Sequence, residues 1–437
     1  MQTSPGGPAS TPHYVAFLAI DWADQKHIWK LYLPESGQFH SGELDHRPES
    51  VELWAADLAH RFGGGQIAVA LEQSRGSLFY MLSKYALFVI HPVHPASLAS
   101  YRKSFSPSGA KDDHRDVDLI LDLLLKHRER LRPIKTEDPR TRLLAFLGEQ
   151  RRNLVDQKTA QLNRLTDNLK LYFPQVLDWF SDLDAPLVAA LLRRWPTLPD
   201  LKTARCATLR KFFYQHNCRS KQSIDQRIGQ ISQAVAATTD SAVIESCTLL
   251  TPVLLAQIVV LVQAIKKLEQ RIGQLFAQHP DAFIFDSLPG AGPALAPRLL
   301  TAFGTDRDRF ATAADAASFV GIAPVRKQSG KMCVVAFRYA CPKFLRQSFH
   351  EWANCSIRFC DWARQHYQHQ RDKGKGHHAA IRSVAFKWIR ILYRCWKDRT
   401  PYDHDRYRQA LARRRAPQPS PVAWPLWKTA AGFSKLA

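Results

Sequence analysis

The residues of this chain best suited to chemistry are carboxylates. Asp21 lies inside AIDWA at the end of an apolar, strand-like run, and Glu72 directly follows the apolar run QIAVAL. A third group sits in KDDHRDVDLILDLL, which holds Asp112, Asp113, Asp116, Asp118 and Asp122. Phosphoryl transfer with paired divalent ions needs three or four carboxylates from different elements, because Mg2+ prefers oxygen ligands and the two ions sit about 4 Å apart. An acid placed just after a buried strand falls at the sheet edge where ligands collect. An acid that merely ends a strand looks the same in sequence. Leu119, Leu121 and the leucines at 123–125 make the aspartate segment read as a helix that is apolar on one side. Asp113 and Asp116, three apart, then project from one face near its start and can share one ion site. Acids that cap the helix dipole produce a similar cluster.

A second kind of chemistry would need a nucleophile. A serine hydroxyl attacks only with a base, a metal or dense positive charge beside it. Ser329 in QSG has Arg326, Lys327, Lys331 and Arg338 around it, and Gly330 allows close backbone approach to a phosphate. An ordinary serine in a basic turn has the same pattern, and Ser348 and Tyr339 are the alternative hydroxyls. Upstream, LPGAGPALAPRLL resembles a helix-hairpin-helix turn, whose glycines let backbone N–H groups meet a phosphate. In AAIRSVAFKWIRILYRCWKDR, helical spacing predicts a core face of Ile381, Val384, Ala385, Trp388, Leu392 and Cys395, with Arg382, Lys387, Arg390, Arg394 and Lys397 outside it. Residues 361–437 carry 17 Lys+Arg against 5 Asp+Glu, which favours phosphate binding over a solvated charge face. His377 and His378 in GKGHHAA read as a loop without partner acids.

The elements that must position these groups follow from periodicity. YVAFLAIDWA and KHIWKLYL read as strands, with Pro34 to Gly37 as the turn to a third. QIAVAL and ALFVI are two more, separated by the helix-like SLFYMLSKY, so the first part of the chain is an α/β domain. From Arg140 to Tyr172 leucines recur at three- and four-residue spacings, predicting one long amphipathic helix broken by Pro174 and Pro186. A helical stretch follows at about 176–245, and Leu250 to Gln278 is a second long helix. The two could pair as an antiparallel coiled coil or a dimer arm. The expected organisation is a disordered N-terminus (1–13), an α/β domain (14–135), a helical connector (136–280), a mainly helical domain (281–403) and a basic tail (404–437).

With 437 residues, 45% apolar and 23% charged, the composition is globular. The net charge of +22 points to a polyanionic partner, nucleic acid before membrane. The most apolar stretch, Leu249 to Ile265, is interrupted by Thr251, Pro252, Gln257 and Gln263 and closed by Lys266 and Lys267, so it reads as a buried helix. The first thirteen residues lack the features of a secretory signal, so a cytoplasmic location is expected. Eight cysteines without a C-x-x-C pair suggest reduced thiols.

Taken in order, AIDWA, ALEQSRG, IHPVHP and GAKDDHRDVDLI resemble the DEDD transposases of the insertion-sequence-110 family, and LPGAGPALAPRLLTAFGTDRDRFATAADAASFVGIAP with RKQSGK is similar to that family's C-terminal domain. The resemblance implies a RuvC-like N-terminal domain of RNase H fold, a helical connector and a C-terminal serine domain. It further implies a site-specific recombinase of a mobile element, guided by a noncoding bridge RNA, acting on donor and target DNA as a dimer or tetramer. Its metal-binding acids carry over as Asp21, Glu72, Asp113 and Asp116 with Mg2+, and its nucleophile as Ser329. Asp112 stands where many members have threonine. A junction-resolving nuclease that uses the acids and water is the rival enzyme, and a non-catalytic nucleic-acid scaffold the rival of another class.

Overall fold

A computed structural model describes residues 13–72, 75–105, 113–330 and 332–415. The chain divides at Thr136/Glu137 into two compact units.

The first unit begins with three consecutive antiparallel strands, β1 (Ala16–Asp21), β2 (Lys26–Tyr32) and β3 (Phe39–Asp45). Helix α1 (Pro48–Arg61) follows, opened by proline at its start and carrying Glu49 in its first turn, where an acid suits the dipole. Strand β4 (Ile67–Leu71) pairs parallel with β1, and after the short α2 (Ser77–Leu82), β5 (Phe88–Pro92) pairs parallel with β4. The sheet order is β3-β2-β1-β4-β5. Every residue of β4 is buried, as expected of a parallel strand covered on both faces. Helices α3 (Pro95–Phe105) and α4 (Asp113–His127), with a 3-10 turn at Arg128–Arg130, complete the unit.

Two cores flank this sheet. On one face Leu18, Ile20, Val69 and Leu71 pack with Val51, Ala55 and Leu58 of α1 and Leu78 and Leu82 of α2. On the other, Ala19, Ala68 and Ala70 meet Val117, Ile120, Leu121 and Leu124 of α4. Small alanines let the helix lie close to the strands. The buried face of α4 thus differs from the leucine pattern read in sequence, since Leu125 is partly exposed and Leu119 and Leu123 sit at the margin.

The second unit is built on two long helices, α5 (Pro139–Tyr172) and, after α6 (Gln175–Trp179), α7 (Pro186–Arg194), α8 (Leu198–Lys202), α9 (Cys206–Gln215) and α10 (Lys221–Gln233), α11 (Ser241–Ala277). Arg151 bonds Glu269, while Asn168 bonds the Cys247 carbonyl and Thr251, so α5 and α11 run antiparallel within one chain. At one end they enclose the core of α6–α10. At the other they meet α12 (Ala282–Asp286), α13 (Gly292–Phe303) and α14 (Ala313–Phe319), then the hairpin β6 (Val325–Ser329) and β7 (Met332–Ala336), and finally α15 (Lys343–Phe359), α16 (Asp361–Asp372), α17 (His377–Lys397) and α18 (His404–Arg415).

Several elements differ from their sequence reading. Helix α11 starts nine residues before Leu250 and carries Pro252 in its interior. Proline removes one backbone bond there, and the Asn168 and Thr251 bonds to the neighbouring Cys247 carbonyl hold the segment in helix. By length and composition alone this helix could cross a membrane, its polar interruptions notwithstanding; its buried residues, among them Leu254, Leu255 and Ile258, pack in the core with α5. His377 and His378 open α17 instead of lying in a loop. His404–Arg415 of the expected tail is helical; residues 1–12 and 416–437 fall outside the described residues.

Candidate active site

The register of β1 and β4 pairs Ile20 with Leu71. Asp21 and Glu72, each one residue further on, therefore stand side by side at the carboxyl ends of two adjacent parallel strands. Side chains alternate along a strand, so Asp21 shares its face with Ala19, and Glu72 shares its face with Ala68 and Ala70. That is the face on which α4 packs. Both acids are half-buried.

Helix α4 brings the aspartate cluster to the same layer, but not as open ligands. Asp116 is buried, with its side chain 3% exposed, and both its oxygens are taken by Arg102 of α3: Nε donates to Oδ1 at 2.7 Å and Nη2 to Oδ2 at 2.6 Å. Asp118 pairs with Lys30 of β2. Asp122 accepts from Tyr101 and Lys126, and the Tyr101 bond, with burial, pushes that phenol up to about 12. Asp113 is the first residue of α4, but its side chain lies outside the described residues, as does Asp112 entirely. The cluster reads as one face of ligands in sequence; three of its members are ion-paired in the fold. Arg102 carried no sequence signal, because its partner is fourteen residues away on another helix.

Asp21 and Glu72 offer the oxygen donors that Mg2+ prefers. Asp116 does not extend that pair as arranged, and among the described residues no three His, Cys, Asp or Glu side chains gather to hold an ion. The described acids therefore supply two ligands of a site, with the third turned to a guanidinium.

On the opposite face of the sheet, which His27 shares with Leu31 and Leu44, runs a chain of imidazoles. The Ala23 N–H donates to His27 Nδ1, His27 Nε2 lies 2.8 Å from His46 Nδ1, and His46 Nε2 lies 2.8 Å from Ser77 Oγ. Burial, aided by His46, pushes His27 down to about 4, so it is neutral. With Nδ1 accepting, its proton sits on Nε2 and is donated to His46 Nδ1, which leaves His46 Nε2 to donate to Ser77. Ser77, the hydroxyl that opens α2 just after Glu72, is thereby a hydrogen-bond acceptor and has no base.

In the second unit, Ser329 is the last residue of β6, exposed at the hairpin end, where it pairs with Met332 across Gly330, whose φ is +54°. Lys331 and the side chain of Lys327 lie outside the described residues. Arg338 donates to the Ala323 carbonyl at 3.2 Å, and Arg326 is exposed. Of the alternative hydroxyls, Ser348 is excluded as a nucleophile: it is fully buried, accepts from Arg298 and donates to the Phe344 carbonyl. Tyr339 is 80% exposed.

On α17 the predicted core face is buried throughout. Arg382 is half-buried with its guanidinium over Phe337, and Lys387 stacks over Trp362, so these two spend their charge on aromatic rings of the domain. Arg390 is exposed and Arg394 is bonded to Asp398 at 2.6 Å on an open face. In LPGAG, a Cβ on Gly290 would come within 2.9 Å of the backbone of Cys355 and Ser356 in α15, whereas Gly292 has open space. Gly290 therefore serves close helix packing, and only Gly292 leaves room for a phosphate.

A DNA-rearranging enzyme is the class that this acid-edged sheet, joined in one chain to an exposed serine hairpin, suggests, and comparison with known proteins narrows it. A transposase model of the DEDD type found in IS110 matches residues 18–174, and the model of the IS116/IS110/IS902 transposase family matches residues 282–368. Together they span more than half of the chain, which belongs to the IS110 family of transposases. The protein named as transposase of the IS117 mini-circle of Streptomyces coelicolor is 26% identical over 398 residues, covering 89% of this chain and 96% of its own. The 43.6 kDa protein of insertion element IS110 from the same organism is 27% identical, covering 89% and 95%. The 42 kDa protein of IS900 from Mycobacterium paratuberculosis is 26% identical, covering 80% and 84%.

Proposed function

We propose that the chain is the site-specific recombinase of an insertion sequence, excising and inserting DNA in the cytoplasm under the guidance of a noncoding bridge RNA. Residues 14–135 act as a RuvC-like domain, 136–280 as the helical connector through which dimers or tetramers form, and 281–403 as the serine domain. The observation that carries this reading is the parallel register that sets Asp21 beside Glu72 under the helix that bears Asp113 and Asp116. The strand order β3-β2-β1-β4-β5, three antiparallel strands continued by two parallel ones, supports the RNase H assignment.

Asp21 and Glu72 would hold a divalent ion such as Mg2+, with Asp113, and with Asp116 once Arg102 lets it go; a bound ion neutralises charge on the phosphate. The hydroxyl of Ser329 attacks the phosphorus of a phosphodiester. The bond to the 3′ oxygen breaks, that oxygen leaves as a hydroxyl with the serine proton, and a phosphoserine ester remains. A 3′ hydroxyl of the partner strand reverses the step, so one ester replaces another without external energy. Arg326, Lys327, Lys331 and Arg338 neutralise the phosphate, and Arg382, Lys387, Arg390 and Arg394 are assigned to the nucleic-acid surface; of these the open-faced Arg390 and Arg394 are the ones best suited to phosphate.

The test is a reaction with end-labelled DNA and the bound RNA, run on denaturing gels. Wild type should give a slow, protease-sensitive adduct, and Ser329→Ala should bind DNA but form neither adduct nor recombinant. Asp21→Asn and Glu72→Gln should abolish strand exchange. Cleavage by Ser329→Ala at the wild-type rate would replace this reading with that of a water-using nuclease.

A further inference from the structure

On the α4 side of the first unit's sheet, α4 lies over β1, β2 and β4, and Phe39 of the outer strand β3 is exposed. There three aromatic residues form a row across neighbouring strands: the register pairs Phe17 of β1 with Tyr32 of β2, and Tyr32 with Phe39 of β3. Cross-strand partners share a face. Their ring centroids are 6.4 and 4.9 Å apart, and Phe39, at the outer end, is 55% exposed. The row lines an open cleft of about 530 Å³, within the range that holds planar ligands, closed on one side by Leu125, Arg128 and Glu129. Cations already stand over these rings: the Arg128 guanidinium lies 5.4 Å from the Phe17 centroid and the Lys30 ammonium 5.4 Å from that of Phe39. The segment 126–135, KHRERLRPIK, continues the positive charge past a single acid, Glu129.

Phe17 and Tyr32 are half-buried and Phe39 exposed; a row of accessible ring edges and faces flanked by cations is an arrangement that holds unpaired nucleotides, because every base presents a π-face to stack and every nucleotide a phosphate to neutralise. A duplex hides those faces. A second copy of this chain would bring another net charge of +22 to a basic surface, and an apolar protein segment would strip water from Arg128 without supplying a counter-charge.

We infer that Phe17, Tyr32 and Phe39 form a stacking platform for an unpaired DNA strand beside the bond being exchanged. This rests on the reading of Asp21 as a catalytic acid. Phe17 and Asp21 lie four residues apart on one face of β1, about 13 Å along the strand. That is the length of about four stacked nucleotides, so the platform holds bases a few positions from the scissile phosphate. Its work is to keep those bases out of the helix while the ends are free, and the chemistry it recognises is a single strand of deoxynucleotides.

The experiment uses the full chain and measures binding, not cleavage, by fluorescence anisotropy at fixed salt with a labelled 16-nucleotide oligo-dT, the same length of oligo-U, and a 16-base-pair duplex. Photocrosslinking of a 4-thiothymidine oligomer maps the contact. Phe39→Ala should weaken oligo-dT by about 5-fold or more, the loss of one stacked base, and leave the duplex within twofold. Phe39→Trp should restore binding, which a folding defect would not allow, and crosslinks should fall in peptides containing Phe17, Tyr32 or Phe39. Equal loss on duplex, or no loss on oligo-dT, overturns the platform. Loss confined to oligo-U assigns the face to RNA, and a changed oligomeric state with unchanged oligonucleotide binding assigns it to a second copy; either overturns the inference. Asp21→Asn keeps the two readings apart, since it should stop strand exchange while binding oligo-dT like wild type, and exchange persisting in it would sink the acid assignment whatever Phe39→Ala does.

Discussion

Replacing Arg102 with alanine should be the most damaging single change on the surface of the first unit. The Asp116 side chain is 3% exposed and that of Arg102 21%, and the two share a two-pronged bond at 2.7 and 2.6 Å. Removing one partner of such a pair leaves a charge out of water, which costs about 3 to 5 kcal/mol, whereas an exposed pair is worth about 1 kcal/mol or less. A unit of 136 residues loses roughly 0.3 kcal/mol per degree at its midpoint, so the unfolding transition of this unit should fall by about 10 to 17 °C. Two further arms locate the effect. Asp116→Asn in the Arg102→Ala background should recover part of the loss, because a neutral amide leaves no buried charge. Mg2+ should raise the midpoint of Arg102→Ala more than that of wild type, by about 1.4 kcal/mol at ten times its Kd if the freed carboxylate binds it. Calorimetry on the full chain with and without Mg2+ reads all three. A shift of less than about 3 °C with an unchanged Mg2+ response would refute the argument that Arg102 occupies a ligand of the metal site.

His27 makes stability pH-dependent. Its folded value of about 4 lies below the usual 6.5, so the unfolded chain binds the proton more readily; stability is full above pH 6.5 and is lost as pH falls toward 4, by about 3 kcal/mol. Denaturant unfolding should show this slope in wild type and a flatter one in His27→Gln; identical slopes would assign it elsewhere. Gly290→Ala combines a φ of +74° with a backbone clash and should cost about 2 to 5 kcal/mol, while Gly292→Ala, strained only at φ +54°, should cost about 1 to 2. Equal losses would contradict the packing role of Gly290. Removing Arg390 and Arg394 together should weaken binding to unrelated DNA sequences alike and flatten the log K against log salt slope by up to about two units. An unchanged slope would leave both on a merely solvated face.

Much of the architecture was legible in the chain because it rests on short-range pattern. Apolar runs marked four of the five strands of the first unit and a turn pointed to the other, acids at two strand ends stood out by position alone, and the leucine spacing of α5 and the core face of α17 were read correctly because a helix repeats its burial every three to four residues. Helix α1 went unread, since RPESVELWAADLAHR is too mixed in polarity to announce itself, and the start of α11 lies nine residues before Leu250, where the sequence placed it. Pairing across the sequence was beyond reach. That Asp21 adjoins Glu72 depends on a register between strands fifty residues apart, and that Asp116 faces Arg102 depends on how α3 packs against α4. The same holds for the row of Phe17, Tyr32 and Phe39, where three residues unremarkable in sequence become one surface when two hairpin registers align them. Residue type and local period set which elements form and which acids could react; burial and strand register, both tertiary quantities, decided which of those acids stand side by side and which are taken by a guanidinium or ammonium group.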